Sequence, residues 1–165
     1  MNEDRPPIAG EAGARTILLV EDEPDAVVLL RRAFSKATVP FPIRLARDGE
    51  EAVAYLSGLG VYGDRARHPL PSLILLDLRL PRRSGFEVLE WLRARPDVGR
   101  IPVIVLTTSE QPRDRRRARE LGANGFRTKP IEPGVFLRFA RAVDRFVRRA
   151  GRKRNTSARI PAGKG

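Results

Sequence analysis

Asp77 follows four large aliphatic residues, Leu73-Ile74-Leu75-Leu76. A carboxylate in that position reads as the C-terminal tip of a buried strand. Two more apolar runs end in a comparable way. Ile17-Leu18-Leu19-Val20 runs into Glu21-Asp22, and Val103-Ile104-Val105-Leu106 runs into Thr107-Thr108. A shorter segment, Gly125-Phe126-Arg127-Thr128, ends in Lys129-Pro130. In open parallel α/β sheets the strand C-termini share one edge, where ligands bind. Neighbouring strands would bring three carboxylates, a hydroxyl and an ammonium together there. That set suits a divalent cation and a phosphoryl group. Mg2+ takes oxygen ligands, one or two of them carboxylates, and phosphoryl transfer depends on positioning and charge stabilisation.

The elements that must position these groups follow from pattern. Residues 1–15 form a polar leader, 16–150 the domain, and 151–165 a basic tail without periodicity, expected to be disordered. Residues 16–20 are the first strand. Pro24 opens a helix at its first turn, and Ala26, Val27, Leu29, Leu30, Ala33 and Phe34 keep helical spacing to about Lys36. Ile43 to Ala46 alternates as a second strand, and Asp48 is an N-cap for a helix over Glu50 to Leu56. A long Gly/Pro/Arg-rich loop spans Ser57 to Pro71. Ser72 to Leu76 is the third strand, Pro81 to Gly85 a turn, and Phe86 to about Arg95 a helix. Pro102 to Leu106 is the fourth strand. A helix from Pro112 to Leu121 stops at Gly122. Gly125 to Thr128 is the fifth strand. Val135, Phe136, Phe139, Val143, Phe146 and Val147 then mark a final amphipathic helix. Alternating strands and helices imply right-handed βαβ units and a parallel sheet.

These residues, in this order and each at a strand end, resemble the receiver domain of two-component response regulators. The matching pieces are Glu21-Asp22, the run into Asp77, the turn Leu80-Pro81-Arg82-Arg83-Ser84-Gly85, Thr107 and Lys129-Pro130. The long loop before the third strand and the segment Ile101 to Ser109 are similar to the stand-alone receivers that serve bacterial and cyanobacterial phytochromes. The resemblance implies a flavodoxin-like, doubly wound five-stranded parallel sheet in the order 2-1-3-4-5. Asp77 would be the phosphoacceptor. Mg2+ would be held by Asp22, Asp77 and the backbone carbonyl of Arg79, with Glu21 acting through a water. Lys129 would pair with Asp77 and then with the phosphoryl oxygens, aimed by a cis peptide before Pro130. Thr107 would bond the phosphoryl group, and Phe126 would turn inward as the switch aromatic. Arg79 and Ser109, two residues beyond Asp77 and Thr107, would modulate phosphoryl lifetime. The donor would be a sensor histidine kinase of the bacteriophytochrome type. Too little chain follows the last helix for a helix-turn-helix, so the expected output is protein contact or phosphorelay. The apolar breadth of the last helix suggests a homodimer through helix four, strand five and helix five. The acidic pair departs from the commoner Asp-Asp.

Composition limits the competing readings. Absence of cysteine removes disulfides and thiolate metal sites, and one histidine, His68, removes His-cluster metals. No apolar run reaches the ~20 residues of a membrane span, and the N-terminus lacks a signal-peptide core, so the expected compartment is the cytoplasm. The formal net charge of +12 raises nucleic acid as a partner, which would make the chain a small basic binding or adaptor protein on a degenerate receiver fold. That reading leaves the acidic site unexplained. A haloacid-dehalogenase-type phosphatase needs an acid two residues after its nucleophilic aspartate, where Arg79 stands and cannot donate that proton. No P-loop motif is present. The chain is therefore expected to catalyse only its own phosphorylation and dephosphorylation.

Overall fold

The computed structural model describes residues 15–129 and 132–157, with side chains to 151. The leader through residue 14, the end of the expected tail and the Lys129–Pro130 peptide lie outside the described residues. The chain divides into two compact units. The first carries a parallel five-stranded sheet in the order β2-β1-β3-β4-β5, as expected. Its strands are β1 (Ile17–Val20), β2 (Ile43–Ala46), β3 (Leu73–Leu76), β4 (Val103–Thr107) and β5 (Gly125–Thr128). Three helices belong to the same unit: α2 (Gly49–Ser57), α3 (Gly85–Arg93) and α4 (Pro112–Glu120). The second unit holds the later part of α1 (Pro24–Lys36) and α5 (Pro133–Ser157).

β1 and β3 read as unbroken aliphatic runs because their residues are buried on both sheet faces. Leu18, Val20, Ile74, Leu76 and Val103 meet Ala52, Tyr55 and Leu56 of α2 and Val88, Leu89 and Leu92 of α3 in one core. The alternate residues Ile17, Leu19, Leu73 and Leu75 point to the other face and are buried as well. Local signals set the helix ends. Asp48 caps α2 by accepting from the Glu51 N–H at 2.8 Å, worth about 1 kcal/mol for such a cap. Ser84 and Glu87 form a reciprocal capping box at the start of α3. Gly122 takes φ +90° just past α4, a conformation that favours glycine.

Two segments differ from the sequence expectation. The long loop before β3 is organised rather than open. It contains a 3-10 turn, Gly60–Gly63. The Arg65 guanidinium donates to the Tyr55 and Leu56 carbonyls at 2.7 and 2.9 Å, closing the C-terminus of α2. Tyr55, Tyr62 and His68 form a cluster with ring centroids 5.1–5.9 Å apart. These are contacts between non-periodic positions, which no hydrophobic pattern reports. The second difference is α5, which continues to Ser157, into the stretch expected as tail. Its buried stripe is Phe136, Ala140, Val143 and Val147, while Phe146, expected in it, is 36% exposed.

Candidate functional site

Strand register brings the chemistry to one edge. Val20 pairs with Leu76, so Glu21 and Asp77 leave adjacent strands side by side. The Asp77 N–H donates to the Val20 carbonyl at 3.1 Å. Leu76 pairs with Val105 and Thr107 with Thr128. The Lys129 N–H donates to the Thr107 carbonyl at 2.6 Å.

Lys129 is the centre of the arrangement. Its Nζ lies 2.9 Å from Asp77 Oδ2 and 2.5 Å from Glu21 Oε2. The three side chains are only 9%, 6% and 3% exposed. Burial works against the Lys129 charge, but its hydrogen bonds to Glu21 and Asp77 outweigh that and raise its pKa above the ordinary lysine value. Burial pushes the Glu21 carboxyl up, with Lys129 opposing. The second oxygen of Glu21 accepts from the Glu23 N–H at 3.1 Å. Asp77 Oδ1 accepts from the Arg79 N–H at 3.3 Å. The Arg79 side chain itself is exposed.

One carboxylate oxygen each from Glu21, Asp22 and Asp77 lies within 4.8 Å of the others, with Asp22 the exposed member. Three carboxylates face one ammonium, a surplus of two negative charges when all are ionised. All donors are oxygens and two of the three are buried, so the set fits a hard divalent cation. Gly85 protects this geometry. A Cβ there would fall 2.1 Å from the Asp77 carbonyl oxygen. The close approach lets α3 start directly against the Asp77 and Leu78 backbone.

The remaining expected residues fall around this centre. Thr107 is fully buried, and its hydroxyl accepts from the Ser109 N–H at 3.3 Å. The Ser109 hydroxyl donates to Asp114 at 2.5 Å and accepts from the Gln111 N–H at 3.3 Å. It therefore ties the β4–α4 loop to the first turn of α4, a role that residue type alone did not reveal. Phe126 is already inward at 8% exposure, packed with Leu78, Val105 and Ala118. The expected inward rotation is thus not a step this conformation still has to make. The Arg115 guanidinium lies 4.9 Å from the Phe126 ring centroid. The Glu21–Lys129 pair was also missed. Its only signal was that β1 and β5 flank the β3–β4 pair, which becomes informative once the strand order is known.

The fold and the site together define a class of parallel α/β protein with a buried aspartate at the tip of β3, beside the acidic pair Glu21-Asp22 and a buried lysine. The model of the response regulator receiver domain matches residues 17–140. Response regulator Rcp1 of Synechocystis is 36% identical over 132 residues, 80% of this chain and 88% of the relative. The solved Mn2+-bound form of Rcp1 superposes with a TM-score of 0.72, covering 80% of this chain and 93% of that one. The phosphorylated cyanobacterial phytochrome response regulator RcpA is 34% identical with a TM-score of 0.74, covering 91% and 100%. The bacteriophytochrome response regulator AtBRR is 38% identical with a TM-score of 0.68, covering 82% and 94%. The chain belongs to the response regulator receiver family. Among the described residues no helix is long and apolar enough to cross a membrane.

Proposed function

We propose that this receiver takes a phosphoryl group from the phosphohistidine of a phytochrome-type sensor kinase onto Asp77, with Mg2+ as the cation, and signals in the cytoplasm by protein contact or phosphorelay. The observation that carries the reading is the Lys129 ammonium bridging Asp77 and Glu21 beside Asp22. The similarity to two phytochrome response regulators supports the choice of kinase class.

In this reading an Asp77 carboxylate oxygen forms the new P–O bond as the P–N bond to the donor imidazole breaks. The bonding pair stays on the imidazole, which takes up a proton. Asp22, Asp77 and the Arg79 carbonyl would hold Mg2+, with Glu21 acting through a water while keeping its bond to Lys129. Bound there, Mg2+ supplies positive charge against the phosphoryl oxygens, which carry about −1.5 to −2 once attached. Lys129 exchanges its Asp77 oxygen for a phosphoryl oxygen, a short shift because the ammonium is already in place. The Thr107 hydroxyl turns to donate to the same group. That movement loosens its bond with the Ser109 N–H, and Ser109 holds α4 through Asp114. The inward Phe126 ring packs behind Thr107's strand and retains that arrangement. Arg79 and Ser109 set how long the modification lasts.

Intact mass after incubation with acetyl phosphate tests the reading. One adduct that needs Mg2+, disappears with EDTA and is absent in Asp77→Asn is expected. An adduct that survives in Asp77→Asn would assign the acceptor to another residue and overturn it.

A further inference from the structure

The acceptor site leaves the chain's positive charge without a use. The formal net charge is +12, yet the site itself gathers carboxylates. Much of the excess lies on one element. α5 holds eight Arg and Lys residues against one acid, Asp144, and so carries +7 of that +12. Only one side of this helix is committed to packing. Phe136, Ala140, Val143 and Val147 are buried, and at about 100° per residue they fall within an arc of roughly 60°. Arg138, Arg141, Arg145 and Arg149 are exposed. They fall within an arc of roughly 80° on the opposite side, which no other residue between Arg138 and Arg149 enters. Spacings of three, four and four residues set them about 4.5–6 Å apart along the axis, over roughly 16 Å. Asp144 lies outside this stripe and is taken by Arg148, which donates to both of its oxygens at 2.9 and 3.0 Å. Among the described residues, none of the four stripe arginines has an ion pair with an acid.

We infer that this outer stripe of α5 binds double-stranded nucleic acid along its phosphate backbone, without reading base sequence. The inference goes beyond the receiver reading and does not depend on it. Duplex DNA presents about one negative charge per 1.7 Å of its axis, so a row of guanidiniums at this spacing meets phosphate at every step. Guanidinium forks match phosphate oxygens bidentately. Contacts of this kind position a protein but carry no sequence information. An acidic protein is the poorer occupant. Protein interfaces are anchored by aromatic and apolar side chains in desolvated pockets, and the stripe holds arginine alone. An anionic membrane is poorer as well. A helix that lies in a membrane surface inserts its apolar face, and that face of α5 is already buried. The carboxylates that would repel a phosphate backbone follow β1 and β3, so one chain can carry both sites.

The test is fluorescence anisotropy of the full chain with two fluorescein-labelled DNA duplexes of unrelated sequence across a salt series. Both are expected to bind alike, with a slope of log K against log salt of about −3.6 or steeper for four contacts. That slope is a loss of roughly a hundredfold between 50 and 200 mM. R138Q/R141Q/R145Q is expected to flatten it by about 3, and R138K/R141K/R145K to retain it. R113Q/R116Q/R119Q, which removes the same charge from exposed positions on α4, is expected to flatten it by less than about 1. Equal flattening by the two glutamine variants would reduce the effect to net charge and overturn the inference. So would a lysine variant as weak as the glutamine one, a tenfold preference for one duplex sequence, or absence of binding. Tighter binding to phosphatidylserine vesicles or to polyglutamate than to either duplex would overturn it too, assigning the stripe to a membrane or to an acidic protein.

Discussion

Lys129→Met isolates the electrostatics of the site. The ammonium sits 2.5 Å from Glu21 and 2.9 Å from Asp77, among side chains that are all less than 10% exposed. Removing one partner of such a buried pair typically costs about 3–5 kcal/mol, because the charge left behind loses both water and counterion. Here two carboxylates are left, but Asp22 opens the site to solvent. The lower end, about 3 kcal/mol, is therefore expected. For a chain of this length that corresponds to a fall in Tm of roughly 6–12 °C. The same deletion raises the negative surplus from two charges to three, so a divalent cation should bind more tightly. Ligand binding at 100 times Kd adds about 2.7 kcal/mol of stability. Saturating Mg2+ should consequently return most of the lost stability to Lys129→Met, and stabilise wild type less. Urea unfolding and thermal melts with MgCl2 and with EDTA read both effects. Two results would refute the reasoning: a Lys129→Met variant as stable as wild type in EDTA, or equal stabilisation of the two proteins by Mg2+.

Three further outcomes are expected. Gly85→Ala forces a Cβ to within 2.1 Å of the Asp77 carbonyl and should cost about 2–4 kcal/mol in urea unfolding, with slower adduct formation at Asp77. Ser109→Ala removes the hydroxyl joining Asp114 to the β4–α4 loop. It should cost about 1 kcal/mol and speed amide exchange in the first turn of α4, leaving α2 unchanged. Tyr62 is pushed up to about 12, first by burial and then by its hydrogen bond to Glu51. A folded-state pKa above the unfolded value means that its stabilisation is complete below about pH 10 and is lost as pH rises toward 12. Absorbance titration should show the late phase, and Tyr62→Phe should shrink it to the contribution of Tyr55, which burial also raises, and reduce the loss of stability across that window.

The sheet was legible because its signals are local. Runs such as Leu73–Leu76 are buried on both faces, and a parallel strand buried on both faces must be aliphatic throughout. Asp48 and Gly122 announced helix ends for an equally local reason, since a cap satisfies backbone groups a few residues away. The loop from Ser57 to Pro71 was illegible. Its order comes from Arg65 reaching back to the α2 carbonyls and from three rings meeting across the loop, neither of which has a period.

By itself the sequence determined the sheet, its helices and the strand-end residues Glu21, Asp22, Asp77, Thr107 and Lys129, because burial and backbone geometry act over a few residues. Only the tertiary structure decided how those groups share charge. Lys129 serves Glu21 as well as Asp77, Ser109 holds α4 rather than standing free, and Phe126 lies inward. Each outcome depends on distances across separate elements, where a few ångströms among buried side chains choose the partner of every charge.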